Sequence, residues 1–226
     1  TLVSLGTAGN QIVLQRAIDT NTAISDALLS QDGTTLFLSS KSDRKVVIVN
    51  LLNGTTENIS FSRMPESLTA TPQGNAIYLA LLTQEHSSSW SDPQQGYIAQ
   101  IDPVTHTLVR EFSINEDPYD IVVTSNGYLY VAPGSGQWDQ LKSYSLATTN
   151  QTGSSGGSFR QLSHLRLSPS ENYLYALSSH MDIFPNDLSK VAISSGSIQT
   201  LYDSPYHGDY PLYDDLEISP DGTKIF

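Results

Sequence analysis

The amino-acid sequence predicts an all-β protein in which one four-stranded antiparallel unit is repeated along the chain. One unit, in which a polar turn is followed by a pair formed by Leu or Ile and an aromatic residue, occurs five times, and the aromatic residues of the five copies are 41, 52, 45 and 51 positions apart. Repeats of this length are typical of arrays of supersecondary units. The segments that carry the pair are SQDGTTLFL, TPQGNAIYLA, TSNGYLYVA, SPSENYLYAL and SPDGTKIF.

Each of these segments is predicted to form a hairpin with the apolar residues that precede it. In the last copy, Leu216 and Ile218 flank a polar residue, which is the periodicity of a strand, and Pro220-Asp221-Gly222 then supplies a tight turn. No window sustains apolar residues at spacings of three and four over the length that a helix needs. The pattern therefore favours paired strands over a helical solenoid.

A second pair of strands is predicted between successive hairpins. The segments VVIVNLLNGTTENISF, YIAQIDPVTHTLVREFSI and SKVAISSGSIQTLY each read as a strand, a turn and another strand. Four antiparallel strands in each repeat are typical of the blades of a β-propeller. We therefore predict a single β-propeller domain over residues 1–226.

The predicted blades follow one another along the whole chain. The first segment reads as the outer two strands of a blade, the next four as full blades, and the last as an inner hairpin. In chain order these segments are 1–19, 24–60, 66–114, 119–160, 163–203 and 214–226.

Two arrangements of the ring are compatible with this count. If the two ends of the chain join, residues 214–226 and 1–19 form one composite blade and close a five-bladed ring, which removes exposed strand edges. Alternatively, the chain is truncated and forms part of a ring of six to eight blades.

The turn and strand from Ser219 to Phe226, Ser-Pro-Asp-Gly followed by a Leu/Ile-aromatic pair, resemble the repeats of YVTN-type bacterial β-propellers. This group is related to the lactonase-like propellers, and the resemblance extends over nearly the whole chain. It implies a propeller from a family that includes binding modules, scaffolds and a few enzymes.

Composition excludes several classes of partner and cofactor. The chain has 226 residues and a net charge of −12, which repels phosphate groups, so no nucleic-acid partner is expected. No apolar run reaches the length of a membrane helix, and the opening TLVSLGTAGN lacks the features of a signal peptide. Because the chain has no cysteine, it has no disulfides, thiolate zinc sites or covalent haem of the usual type.

Other features favour a location outside the cytoplasm, in the extracellular space, on the cell surface or in the periplasm. Charged residues make up only 15% of the chain, and Ser, Thr and Tyr are abundant. Three N-glycosylation sequons occur, at Asn53, Asn58 and Asn150.

The start of each inner strand is the first place where ligand-binding residues are expected, because these strands surround the channel of a propeller. Carboxylates and an imidazole there could bind Ca²⁺ or another hard cation, or act as general acids and bases. Alternatively, each aspartate accepts hydrogen bonds from backbone amides of its own or the neighbouring blade, and the histidine is structural. The residues seven positions before the turn glycine or its equivalent are Asp26, Ser67, Asp120, His164 and Asp215.

Loops on the same face carry further candidates, including both tryptophans of the chain. Large aromatic side chains on loops are typical of surfaces that bind sugars or peptides. The alternative is that each ring packs on its own blade. The candidate ligand-binding residues of these loops are His86, Trp90, Trp138, His180, His207 and Tyr210.

We therefore expect a non-catalytic binding or scaffolding module that recognises a glycan, a peptide or a surface partner through its aromatic loop face. The alternative, implied by the resemblance, is a lactonase-like hydrolase with a metal or a His/Asp pair at the channel mouth. Binding is favoured because no complete catalytic set is visible. The segment Gly153-Ser154-Ser155-Gly156-Gly157 fits the nucleophile-elbow pattern formally, but it lacks the strand-to-helix context.

Overall fold

The computed structural model describes residues 2–8, 11–89, 94–156, 159–178, 187–203 and 215–226. Every regular element in these ranges is a β-strand, and they contain no helix that is long and apolar enough to cross a membrane. The prediction of an all-β fold of four-stranded antiparallel sheets is confirmed.

The chain begins with an antiparallel hairpin of β1 (Leu2–Ala8) and β2 (Gln11–Ile18), and four-stranded sheets follow it. The strands of the first two sheets are β3 (Asp26–Leu29), β4 (Thr35–Ser40), β5 (Lys45–Asn50) and β6 (Thr56–Ser60), then β7 (Met64–Ala70), β8 (Ile77–Leu82), β9 (Gly96–Asp102) and β10 (Thr107–Ile114).

The third sheet contains a short insertion between its second and third strands. The strand of this insertion, β13 (Trp138–Asp139), pairs with β16 (Phe159–Arg160), which follows the fourth strand of the sheet, and the two form a separate two-stranded sheet. The strands of the third and fourth sheets are β11 (Pro118–Val123), β12 (Tyr128–Pro133), β14 (Lys142–Ser145) and β15 (Gln151–Ser154), then β17 (Ser163–Leu167), β18 (Tyr173–Ser178), β19 (Asp187–Ser194) and β20 (Ser197–Asp203).

The turn between the first two strands has the same geometry in all five repeats. One residue adopts a left-handed φ, between 55° and 83°, and donates its N–H to the carbonyl three positions earlier. Glycine adopts this conformation without steric cost, and Glu171 adopts it in the fourth repeat. The five left-handed residues are Gly33, Gly74, Gly127, Glu171 and Gly222.

The hydrophobic core lies between successive sheets. Because side chains alternate along a strand, β8 directs Ile77 and Leu79 toward the first sheet, and Tyr78 toward the third. In the same way Leu129 packs toward the second sheet and Tyr130 toward the fourth. The Leu/Ile-aromatic pair therefore supplies one side chain to each of two neighbouring interfaces.

Two half-units flank the four complete sheets. Ile18 of β2 packs against the buried residues Leu38 and Val47 of the first sheet. At the other end of the chain, Ile218 and Ile225 pair as an antiparallel bridge beside the fourth repeat. The union of these half-units in a composite blade stays a prediction.

We expect Leu129→Ala to lower the free energy of unfolding by about 2–5 kcal/mol, because the side chain is 0% exposed between two sheets. Urea denaturation of the purified chain measures the change. The matched control is Leu52→Ala at a side chain that is 73% exposed, where we expect a change within about 0.5 kcal/mol. Equal losses in the two variants would contradict the packing between sheets.

Candidate functional site

The first strands of the repeats begin around one cavity of about 550 Å³. The first strand begins at the end of each sheet where the second strand finishes, as the pairing of Asp26 with Ser39 shows. We call this end of the sheets the loop face. All five residues predicted at the strand starts line the cavity, and these are Asp26, Ser67, Asp120, His164 and Asp215.

The Asp26 carboxylate joins the first sheet to the second. Its Oδ1 accepts the N–H of Ala27 at 2.7 Å, and its Oδ2 accepts the N–H of Leu68 in β7 at 2.7 Å. This is the amide-acceptor arrangement that the sequence allowed as an alternative to ligand binding.

Asp120 makes the same kind of connection through three sheets. Its Oδ1 accepts the N–H of Ile121 at 2.8 Å and the hydroxyl of Ser67 at 2.9 Å. Its Oδ2 accepts the N–H of Leu165 in β17 at 2.8 Å. Because several donors hold the carboxylate, its position in the cavity wall is fixed.

Arg166 is a cavity residue that sequence reasoning missed. Its guanidinium nitrogens lie 3.5 Å from Asp120, 2.7 Å from Asp215 and 3.3 Å from Glu217. Arg166 follows His164 by two positions, so strand alternation places both on the same side of β17. That offset was the available signal, and Glu217 follows Asp215 by the same offset.

Tyr119 was also missed, since nothing but its position next to Asp120 marks it. Its ring makes edge contacts with His86 and His164, at centroid distances of 5.8 and 5.2 Å. Burial, together with the negative charges of Asp120, Glu66 and other carboxylates, raises the pKa of Tyr119 to about 12. The phenol is therefore protonated at neutral pH.

His164 lies in the cavity wall as predicted, but it is not part of a hydrogen-bonded acid–base pair. Its Nε2 is 3.3 Å from the Tyr119 hydroxyl, whereas its Nδ1 is 3.8 Å from Oδ2 of Asp120. The second distance is too long for a hydrogen bond, so Asp120 does not orient the imidazole.

His86 holds a loop to two sheets. Its Nδ1 lies 2.6 Å from Asp117 and its Nε2 lies 2.7 Å from Glu66. Burial alone lowers the pKa of His86, but hydrogen bonds to Asp117 and Glu66 and their charges outweigh burial and raise it to about 9. Both nitrogens are thus engaged within the protein.

Neighbouring loops of the second and third sheets are joined by hydrogen bonds beside His86. The Ser87 N–H donates to Ser135 Oγ at 2.8 Å, and the Gly136 N–H donates to the Ser87 carbonyl at 3.0 Å. Gln137 donates its side-chain amide to the Ser88 carbonyl at 2.7 Å. These bonds give the described part of the loop face a defined surface.

Trp138 lies on this surface in β13 and is 37% exposed. The Arg160 guanidinium lies 5.6 Å from the centre of an indole ring, so the side chain is partly packed and partly open. The other loop candidates, Trp90, His180, His207 and Tyr210, lie outside the described residues.

The described parts of the chain contain no group of three His, Asp or Glu side chains arranged to hold a metal ion. The carboxylates at the strand starts are bound instead by backbone amides and, for Asp120 and Asp215, by Arg166. Binding of Ca²⁺ or another hard cation stays a prediction.

Comparison with known proteins identifies the fold. No protein-family model matches the chain, and no curated protein matches its sequence. The structure is similar to hydrazine synthase of Kuenenia stuttgartiensis, with a TM-score of 0.73 and 18% identity over 97% of this chain and 58% of that one. It is also similar to the Cps50 (Swd1) β-propeller domain of Myceliophteria thermophila, with a TM-score of 0.63 and 12% identity over 90% and 61% of the two chains.

The fold is that of a β-propeller. A third similar structure is a functionally unknown protein from Desulfotomaculum acetoxidans DSM 771, with a TM-score of 0.71 and 12% identity over 94% and 64% of the two chains. The propeller chain thus spans 58–64% of the length of these solved structures. Identities this low show the fold alone. They confirm the propeller fold that the resemblance implies, and the YVTN type of the repeats stays a prediction.

The first expected outcome at this site concerns the pH dependence of stability. The pKa of His86 is raised from 6.5 to about 9, so the protonated imidazole stabilises the folded state. This stabilisation is fully present below pH 6.5 and is lost as the pH rises through about 9. Between about pH 6 and pH 10, the free energy of unfolding should fall on the order of 2–3 kcal/mol more in the wild type than in His86→Gln. Urea denaturation at each pH measures this difference.

The control for this measurement is His106→Gln, because His106 pairs with the exposed Glu57 at 2.8 Å. This variant should keep the wild-type pH dependence. If His86→Gln also keeps it, the His86 contacts do not stabilise the fold.

The second expected outcome concerns Gly134, where an added Cβ would lie 2.1 Å from the His86 ring. The ring cannot move without losing its bonds to Glu66 and Asp117, so Gly134→Ala should cost about 1–3 kcal/mol of unfolding free energy. Gly156→Ala is the matched control, since nothing lies within 4 Å of its added Cβ. Equal melting temperatures of the two variants would argue against a fixed His86 ring.

Proposed function

We propose that the chain is a non-catalytic binding module that holds its ligand in the cavity at the loop face. The observation that carries this proposal is the meeting of equivalent positions from five repeats around one cavity of about 550 Å³. Ligand pockets commonly have volumes of about 300–1,000 Å³ and are largely formed before binding. The bonds from Asp26 and Asp120 to neighbouring sheets support a wall of this kind.

A binding role accounts for the side chains better than hydrolysis does. The alternative, a lactonase-like hydrolase, needs a metal or a working His/Asp pair at the cavity. His164 is 3.8 Å from Asp120, and the oxygens of Asp120 accept bonds from Ser67, Ile121 and Leu165. An aspartate used in this way supports the sheets and leaves the imidazole without an orienting carboxylate.

We further propose that the module acts outside the cytoplasm and that its repeats are of the YVTN type. The sequon residues Asn53, Asn58 and Asn150 are exposed, which supports this location. The ligand is a glycan, a peptide or a surface partner, and the part-exposed Trp138 offers it a flat apolar surface on the loop face.

Immobilised glycan and peptide arrays test the proposal with the wild type and three variants. Ala27→Trp places a bulky ring on an exposed cavity residue and should abolish retention of any bound glycan or peptide. Trp138→Ala should weaken retention, whereas Leu52→Trp changes an exposed turn outside the cavity lining and should have no effect.

Retention by Ala27→Trp equal to that of the wild type, or no retention of any array ligand by the wild type, would contradict the proposed cavity function. Hydrolysis of a lactone panel that is lost in His164→Gln would favour the hydrolase.

A further inference from the structure

The cavity at the loop face contains more acidic than basic side chains. Five carboxylates and one guanidinium are part of its lining, and each carboxylate but one is close to a cationic or imidazole side chain. Arg166 forms ion pairs with Asp120, Asp215 and Glu217. Glu66 lies 3.2 Å from Lys41 and 2.7 Å from His86.

Asp26 is the cavity carboxylate that has no cationic or imidazole side chain of the described residues bonded to it. Among the described residues, no Lys, Arg or His side chain forms an ion pair or hydrogen bond with it, and its polar partners are the amides of Ala27 and Leu68. Burial raises the pKa of Asp26 to about 6, although these two amide bonds lower it. Arg166 acts on the carboxylate only through a weaker Coulombic attraction, without a bond. Each oxygen accepts one hydrogen bond and can accept another, so the carboxylate is fixed in place but has no cation bonded to it among the described residues.

The surroundings of Asp26 combine this charge with apolar surface. Although the lining residues Leu68, Ile121 and Val122 are buried in the packing between sheets, the half-buried Leu28 and Tyr119 give the same lining apolar surface. Such a wall suits a hydrocarbon stem, whereas the unpaired carboxylate suits a positive charge at the end of that stem.

We propose that this cavity recognises a protonated primary amine on an apolar stem, with the ammonium group bound by the Asp26 carboxylate. The inference rests on the proposed binding function and names the class of its ligand. An ammonium group donates up to three hydrogen bonds and supplies the bonded positive charge that no described residue gives to Asp26. A carboxylate on the ligand would meet an excess of negative charge and is disfavoured.

The amine is favoured over a metal ion by the geometry of Asp26. Hard cations need six or more oxygen ligands, and the described residues offer no group of three acidic or imidazole ligands. One fixed carboxylate is sufficient to bind an ammonium group. The remaining N–H groups of the ammonium can donate hydrogen bonds to water.

Isothermal titration calorimetry with three matched probes tests this inference at about pH 8, where Asp26 is ionised. The probes are n-hexylamine, 1-hexanol and hexanoate, which share a stem and differ in charge. Hexylamine should bind at least about tenfold more tightly than hexanol, and hexanoate should bind least. This comparison uses the wild type, so it does not depend on the folding of any variant.

Two substitutions locate the ammonium group. Asp26→Asn should weaken hexylamine binding at least about tenfold, because it removes the charge. Asp32→Asn is the matched control, since Asp32 likewise accepts local bonds, from Ser30 and Thr34, but lies in the turn at the other end of β3. A loss caused only by net charge would be equal in both variants.

The source of the amine is distinguished by a capped tripeptide with a central lysine and its norleucine analogue. Tighter binding of the lysine peptide than of hexylamine supports a peptide side chain as ligand, whereas binding of hexylamine alone supports a free amine. Both results support amine recognition.

Equal binding of hexylamine and hexanol, or unchanged hexylamine binding by folded Asp26→Asn, would overturn the amine proposal. If array ligands are still lost in Ala27→Trp, the cavity function stands without it. If the cavity binds neither the probes nor any array ligand, both proposals fail.

Discussion

The hydrogen bonds that Asp26 and Asp120 accept from the backbone of a neighbouring sheet are the constraint on which the loop face depends. Apolar packing stacks the sheets, but it is non-directional and would tolerate small rotations between them. The bonds to the amides of Leu68 and Leu165 specify where one first strand lies relative to the next. Since these carboxylates form the cavity wall, the same contacts that order the sheets also shape the site.

This arrangement explains why the cavity is better suited to binding than to catalysis. General acids and bases need a side chain free to exchange a proton with a substrate, and an orienting partner. Here Asp120 is occupied by backbone and Ser67 donors, and Arg166 is surrounded by three carboxylates. Such bonded groups give a rigid, polar surface, in which Asp26 is distinguished because backbone amides, and no Lys, Arg or His side chain of the described residues, are bonded to it.

Part of this site could be predicted from sequence and part could not. Counting back from the turn found the strand-start residues because turn and strand geometry repeat in every unit. Arg166 was within reach of the same logic, one strand period beyond His164. The loop position of His86 predicts a ligand residue, yet the structure places its ring between Glu66 and Asp117, partners 20 and 31 residues away. A local sequence pattern cannot predict such a pairing, because the partners are distant along the chain.

The sequence by itself determined the strands, the turns and the position of five side chains at one end of the sheets. These properties follow from period-two alternation and from left-handed turn residues, both of which act over a few positions. Only the tertiary structure decided what those side chains do. The amides that occupy Asp26 and Asp120 belong to residues 42 and 45 positions away, and they are brought near only when the sheets pack face to face.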